Sequence, residues 1–192
     1  MPALKLPVLA NLAAALTFGS ALASAAAVAS GPSVASGPSV ASGPSVASGP
    51  SLYHSPQLWA TLNICNAQDK PHTLGIRGSM PGDGRPRDAM FMRFRVQYLH
   101  VSGATRTWVD LPGADSGFLA VGTAAAARQG GRSFEFAPTP GKAAFALRGV
   151  VSFQWRRGTR VVHTTDRPTT AGHKSLAGAD PEGFSVATCT LV

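Results

Sequence analysis

Two stretches of the chain alternate regularly between apolar and polar residues, as a strand with one buried face does. In residues 90–98 apolar side chains occupy every second position, and arginine and glutamine stand between them. Residues 145–155 continue the same alternation over a longer run, again with arginine on the polar side. Because successive side chains of a strand point to opposite faces, both stretches are predicted to be strands with one face in a core.

Six further stretches favour strands more weakly. Clusters of Gly, Pro, Asn and Asp, which typically reverse the chain, separate them. They are residues 58–65, 73–79, 107–111, 132–136, 160–165 and 184–191. Since no sustained helical period follows residue 51, we predict an all-β fold. The architecture expected is an antiparallel β-sandwich of immunoglobulin or fibronectin-III type with about 7–8 strands, preceded by a signal helix and a disordered repeat linker.

The beginning of the chain differs in composition from the rest. Lys5 precedes a long apolar run that ends in small residues, which is the layout of a secretory signal peptide and its cleavage site. We therefore predict a signal peptide at residues 1–27 and a secreted, extracellular protein. The alternative is that the run stays uncut and anchors the chain in a membrane, because about 20 apolar residues can span a bilayer.

A perfect hexad repeat, VASGPS, occupies residues 28–51. Its Ser, Gly and Pro residues have little to pack and cannot repay the entropy of ordering, so a disordered linker is predicted here. At the polyproline rise of ~3.1 Å per residue, such a linker reaches at most roughly 75 Å. The sandwich domain is then assigned to residues 52–192, the size of one ordinary domain.

The chain holds 2 cysteines, Cys65 and Cys189, near the two ends of the predicted domain. In an exported protein an even pair indicates a disulfide, and we predict one between them. Two thiols so far apart lack the C-x-x-C spacing of zinc sites. Neither a metal nor any other cofactor is expected.

Five segments of the domain resemble a group of small, uncharacterised secreted proteins of actinobacteria. The segments read LWATLNIC, LGIRGSMPG, MFMRFRVQY, LRGVVSFQW and GADPEGFSVATC. The resemblance implies export and a β-rich fold, and it carries over no catalytic residues. The predicted disulfide departs from the immunoglobulin pattern, in which the bridge joins two internal strands.

The stretch GADSGF, residues 113–118, resembles the turn that presents a nucleophilic serine in trypsin-like proteases. A small secreted hydrolase is therefore the alternative function. It would combine Ser116 with one of His100, His163 or His173 and one of Asp110, Asp166 or Asp180. Against it, Ala114 and Phe118 replace the flanking glycines of the protease motif. The similar stretch GADPEGF, residues 178–184, has no serine, so we interpret both as loop-building sequences and expect no catalytic residues and no enzyme.

Arginine is the residue type that carries the most specific functional expectation, in a chain with a formal net charge of +8. The polar faces of the two clearest strands hold Arg93, Arg95, Arg148 and Arg156. If those strands share a sheet, the four arginines form a basic face suited to phosphate or carboxylate groups. We therefore expect a secreted or cell-surface, non-catalytic module with a binding or structural role.

The partner expected for this face is an anionic cell-wall or extracellular polymer, with no specific nucleic-acid site. Membrane contact is expected only if the apolar run at the start of the chain stays uncut. The alternative is that the arginines form only a solvated face, because arginine, alanine, glycine and proline together are typical of a GC-rich genome.

Overall fold

The computed structural model describes residues 51–137, 144–173 and 177–191. The predicted signal peptide and all but the last residue of the predicted linker lie outside them. A short 3-10 helix, Leu52–His54, precedes the strands. These are β1 Trp59–Ala67, β2 Lys70–Met80, β3 Arg85–Ser102, β4 Thr105–Ala124, β5 Arg128–Glu135, β6 Phe145–Arg157, β7 Arg160–Pro168 and β8 Thr188–Leu191. Among the described residues, no helix is long and apolar enough to cross a bilayer.

The strands form two antiparallel sheets. One sheet has three strands in the order β1-β2-β5. The other has five, in the order β4-β3-β6-β7 with β8 also paired to β6. The β2–β5 and β3–β6 pairs correspond to the B–E and C–F neighbours of an immunoglobulin-type sandwich. The predicted all-β antiparallel sandwich is therefore confirmed.

The alternation in β3 and β6 puts the expected side chains between the sheets. These two strands bury Met90, Met92, Phe94, Val96, Leu147, Val151, Phe153 and Trp155. The three-stranded sheet adds Leu62, Leu74, Ile76 and Met80 from the opposite side. Full burial of one such side chain stabilises a fold by roughly 1.5–3 kcal/mol. The indole N–H of Trp155 donates to the Pro81 carbonyl at 2.9 Å, so the largest core side chain leaves no polar atom unsatisfied.

Strand β4 departs most from the sequence-based prediction. A short strand was expected at residues 107–111, whereas β4 spans Thr105–Ala124 and pairs along most of β3. Register shifts on both sides of the Arg95–Asp115 pair absorb extra residues of β4. GADSGF therefore lies within a bulged strand and is not a loop between strands, which corrects the expectation. Gly113 and Gly117 have φ of 79° and 63°. These values lie in the left-handed region, which occurs in β-bulges and which glycine adopts most readily.

The connection between β7 and β8 runs along the outer edge of β1. Its described parts are residues 169–173 and 177–187. Leu62 and Val186 exchange backbone hydrogen bonds of 3.0 and 3.1 Å, and the Thr170 N–H donates to the Ala60 carbonyl at 2.8 Å. The connection thus covers an edge that would otherwise present unpaired backbone groups. Because it takes up these residues, β8 is shorter than the strand predicted at residues 184–191.

The predicted disulfide between Cys65 and Cys189 is present, with their Cα atoms 5.7 Å apart. Cys65 lies near the end of β1 in the three-stranded sheet, and Cys189 lies in β8 of the other sheet. The bond therefore ties the two sheets together. It spans a sequence separation of 124 residues, almost the whole domain.

Candidate functional site

The four predicted arginines lie on one surface because β3 and β6 are hydrogen-bonded neighbours. Arg93 is opposite Ser152 and Gln97 is opposite Arg148 in the register of the two strands. The surface is the side of the five-stranded sheet that faces away from the core. We call it the outer face and define it by Arg93, Arg95, Arg148 and Arg156.

Aspartates from the neighbouring strands pair with two of these arginines. The Arg93 guanidinium forms two or more hydrogen bonds with the Asp115 carboxylate, which β4 supplies. Arg95 bridges Asp110 of β4 and Asp166 of β7, each at 3.0 Å. The four defining arginines and these three aspartates together carry one net positive charge. The sequence-based expectation of a strongly basic face did not include these carboxylates.

The Arg93–Asp115 pair shifts the pKa of both groups. Hydrogen bonds from Arg93 lower the pKa of Asp115 to about 2, against a smaller opposing effect of burial, and the Gly117 N–H adds a further hydrogen bond. The same hydrogen bonds raise the pKa of Arg93. Both partners are therefore charged at neutral pH, and their ion pair links β3 to β4.

Arg148 is held in a different way, without a carboxylate in salt-bridge range among the described residues. Its Nε–H donates to Gln97 Oε1 at 2.9 Å. Its guanidinium carbon lies 4.5 Å from the centroid of the Trp108 ring, within the range of a cation–π contact. Partial burial lowers the pKa of Arg148, but an arginine stays protonated at neutral pH.

Arg156 is stacked in the same manner at the other end of β6. Its Nε–H and Nη2–H donate to Gln154 Oε1 at 2.9 and 2.6 Å. The guanidinium carbon lies 4.1 Å from the Phe91 ring centroid and 5.0 Å from that of Phe118. In the described part of the chain this arginine also has no carboxylate partner. Arg148 and Arg156 are thus oriented by aromatic rings and by glutamine, and their charge is not neutralised by an ion pair.

Ser116 forms hydrogen bonds that join β4 to β3. Its hydroxyl accepts from the Phe94 backbone N–H at 2.9 Å and donates to the Gly117 carbonyl at 2.7 Å. These bonds replace part of the regular ladder where β4 bulges away from β3. The serine hydroxyl is therefore engaged with backbone groups of the sheet.

The histidines and aspartates considered for a hydrolase have other neighbours. The ring of His163 lies 3.3 Å from the Tyr53 hydroxyl, and His173 Nε2 lies 2.9 Å from Thr170 Oγ1. Asp180 pairs with Lys70 at 2.8 Å, and the other two aspartates pair with Arg95. Within the described ranges, no hydrogen bonds link a serine, a histidine and an aspartate as a triad. No three His, Cys, Asp or Glu side chains of those ranges converge as metal ligands either.

A second basic region, which the sequence analysis did not identify, lies at one end of the sandwich. It forms where the start of β3 meets the turn between β6 and β7, and we call it the hairpin end. We define it by the exposed residues Arg85, Arg87, Arg157 and Arg160. They were overlooked because they lie at strand ends and turns, where no alternation marks a face.

The buried Asp88 side chain holds Arg157 of the hairpin end in place. It is only 1% exposed, and its two carboxylate oxygens accept hydrogen bonds of 2.9 and 2.8 Å from Arg157. These bonds lower the pKa of Asp88. The Asp83 carboxylate accepts from the Arg85 backbone N–H at 2.8 Å and so stabilises the turn that leads into β3.

An open cleft of about 590 Å³ lies beside these residues. Arg85, Arg87 and Arg157 line it together with Gly84, Pro86 and Asp88. Its volume falls in the range of small-ligand sites in proteins, which is about 300–1,000 Å³. The hairpin end therefore combines exposed positive charge with a concave surface.

No protein family, curated protein or solved structure matches this chain. The sandwich and its strand order therefore rest on the pairings within this structure. Sandwiches of this order carry many unrelated functions, so the order by itself does not indicate an activity. What the domain does must be inferred from its surfaces.

Proposed function

We propose that the domain is a non-catalytic binding module of an exported or cell-surface protein, and that it engages an anionic extracellular polymer through the outer face. One observation carries this proposal. The guanidinium carbons of Arg148 and Arg156 lie over aromatic rings, and neither arginine has a carboxylate partner among the described residues. Both are therefore oriented and still able to receive the oxygen atoms of a ligand.

Orientation before binding matters because an arginine side chain loses rotamer freedom when it binds a ligand. Immobilising one such side chain costs about 0.5–1.5 kcal/mol of binding free energy. Trp108 and Phe91, with the glutamine partners, hold the two guanidinium groups in place before any ligand arrives. A guanidinium so held can present its paired N–H groups to phosphate or carboxylate oxygens.

The spacing of the two arginines favours an extended ligand. Arg148 and Arg156 are eight positions apart in β6. At ~3.3 Å per residue their Cα atoms are separated by roughly 26 Å. A polymer with repeated anionic groups can reach both positions, whereas a small anion can contact only one of them.

Arg93 and Arg95 take a supporting role in this proposal. Each is paired with aspartate, so its charge is largely compensated before binding. The double substitution Arg93→Glu with Arg95→Glu would place new negative charge beside Asp110, Asp115 and Asp166. It would disturb the sheet itself and is a poor probe of ligand binding.

The disulfide and the predicted leader support an extracellular setting. Disulfides persist in oxidising compartments and are rare in the cytosol. The predicted linker at residues 28–51 would hold the domain away from the point where the chain is attached or leaves the cell. Export through a signal peptide remains part of the proposal.

The test is a titration of the exported protein with long-chain polyphosphate and, in parallel, with polygalacturonate as a carboxylate polymer. We expect Arg148→Gln with Arg156→Gln to weaken binding about tenfold or more, since charge-assisted hydrogen bonds are worth about 1.5–3 kcal/mol each. Arg128→Gln with Arg132→Gln is the matched control, because both residues are exposed, both lie in β5 of the three-stranded sheet, and the charge change is the same. Equal losses in both variants would show that only net charge matters and would contradict the proposal.

A second variant separates orientation from charge. Trp108→Ala leaves every charge in place but removes the ring on which Arg148 lies. We expect polymer affinity to fall by about threefold to tenfold, because a partly exposed cation–π contact is worth about 0.5–1 kcal/mol and the freed side chain must be ordered on binding. Unchanged affinity in a folded Trp108→Ala protein would remove the orientation argument.

A further inference from the structure

We infer that the hairpin end is a separate binding site for a compact oxyanion that carries several charges, such as a phosphate or sulfate ester. Binding at this site does not depend on the outer face, because none of the four arginines that define the outer face lines the cleft. The ligand class follows from the charge, the geometry and the concavity of the site, which are taken in turn below.

The charge balance of the hairpin end is more positive than that of the outer face. Its four arginines face two aspartates, Asp83 and Asp88, which leaves an excess of two positive charges. In the described part of the chain, only Arg157 of the four has a carboxylate in salt-bridge range. The other three guanidinium groups are exposed, and an incoming anion does not have to displace an internal partner.

Two of the arginines occupy opposite positions on the β6–β7 hairpin. Arg157 and Arg160 are cross-strand partners at the tip of the β6–β7 hairpin. Gly158, with φ of 58°, allows the tight turn that brings them together. Like charges placed directly opposite each other on a strand pair are destabilising. An anion bound at the hairpin end would offset this pairing of like charges.

The arginines are also positioned before a ligand arrives. The buried Asp88 carboxylate accepts hydrogen bonds from Nε–H and one Nη2–H of Arg157. Nη1 of Arg157 takes no part in these bonds and can donate to a ligand. Pro86 stands between Arg85 and Arg87 and restricts the backbone there, since its ring fixes φ. Three arginines thus line one cleft on a backbone of limited freedom.

The cleft accepts a group of limited size. Its volume of about 590 Å³ suits a small ligand, and Arg85, Arg87 and Arg157 lie along its wall. The oxygens of Asp88 are already occupied by Arg157, so this carboxylate does not oppose an anion with its full charge. A ligand with adjacent charged groups can contact several guanidinium groups at once, as arginine clusters do with phosphate.

The experiment is a calorimetric titration of the exported protein with inorganic tripolyphosphate at about 50 mM salt, where the electrostatic contribution is large. We expect Arg85→Gln with Arg87→Gln to weaken binding about tenfold or more, because both arginines line the cleft and each can make a charge-assisted contact there. The variant Arg106→Gln with Arg132→Gln should change the affinity less than about twofold, since its arginines are remote from the cleft. Both substituted pairs are exposed, so thermal unfolding should show folded proteins.

The outcomes separate this inference from the proposed function. Loss of tripolyphosphate binding in Arg148→Gln with Arg156→Gln, but not in Arg85→Gln with Arg87→Gln, would overturn the hairpin site and leave the outer face in place. Absence of tripolyphosphate binding by the unchanged protein, or equal loss in the remote control, would also overturn it. Loss of tripolyphosphate binding only in the hairpin variant would support it, whether or not the long polymers bind the outer face.

Discussion

The outer face and the hairpin end each present four arginines, but the two regions use them differently. On the outer face, Arg93 and Arg95 are paired with aspartates, while Arg148 and Arg156 lie on aromatic rings. At the hairpin end only one arginine has an ion-pair partner among the described residues, and that partner is buried. A count of arginines in the sequence would therefore rank the regions as equal, although their available charge differs.

The difference follows from where the arginines lie in the fold. The outer face is the middle of a sheet, where strands on both sides bring carboxylates and rings within reach. The hairpin end lies at strand termini and turns, where few neighbours approach and side chains stay in water. Arginines of the outer face are thus held by neighbouring carboxylates, rings and glutamines, whereas three of those at the hairpin end have no ion-pair partner among the described residues. Each prediction below tests this contrast.

Removal of the disulfide should have the largest effect and should act on both regions alike. Cys65→Ser with Cys189→Ser opens a link across 124 residues, and we expect a loss of about 4–5 kcal/mol in the free energy of unfolding. The measurement is urea unfolding of the two proteins at the same temperature. Both regions belong to the same two-sheet fold, so we expect binding at both to weaken together. Loss of binding at only one region, in a protein that stays folded, would contradict this prediction.

Charge reversal should distinguish the two regions in stability. Arg93→Glu with Arg95→Glu removes the partners of three aspartates and adds two like charges beside them, so we expect a loss of about 2 kcal/mol or more. Arg87→Glu with Arg160→Glu makes the same charge change at exposed positions and should stay within about 0.5 kcal/mol of the unchanged protein. Chemical unfolding measures the free energy of unfolding of both variants. Equal losses of stability in the two variants would contradict the proposed difference between the regions.

Acid should weaken the outer face through Asp115. Its pKa is about 2 in the folded protein, below the ordinary value of 3.8, because Arg93 stabilises the carboxylate. A lowered pKa contributes stability that is present above the unfolded-state value and is lost as pH falls from near 4 through about 2. Asp115→Asn should therefore flatten the fall of unfolding free energy across this interval, as measured by urea unfolding at several pH values. Parallel pH profiles of the two proteins would contradict the pairing.

Much of the fold could be predicted from the sequence because strand alternation is a local signal. The alternation in residues 90–98 and 145–155 identified β3, β6 and their buried faces, and the two cysteines indicated the bond between the sheets. β4 was recognised only over residues 107–111, because its bulges break the alternation on which the prediction depended. The end of the chain was predicted as one strand, but residues 184–187 belong to the connection that covers the edge of β1.

The candidate site could be predicted only in part, for the same reason. Alternation placed Arg93, Arg95, Arg148 and Arg156 on polar faces, and the neighbouring positions of β3 and β6 then brought them together. Nothing in the local pattern indicated that Arg156 would lie on Phe91 and Phe118, or that Asp88 would be buried under Arg157. Such contacts depend on which strands become neighbours and in which register.

The sequence by itself determined the strand character of the domain, the face on which the four arginines of the outer face lie and the cysteine pair, because these depend on residue type and on a period of two. Tertiary structure alone decided which charges remain available. Arg93 meets an aspartate 22 positions away, and Arg95 meets aspartates 15 and 71 positions away. Those meetings require the register shifts of β4 and the pairing of β6 with β7. Ion pairing is a short-range contact in space, so the folded arrangement of the strands sets the charge that a partner encounters.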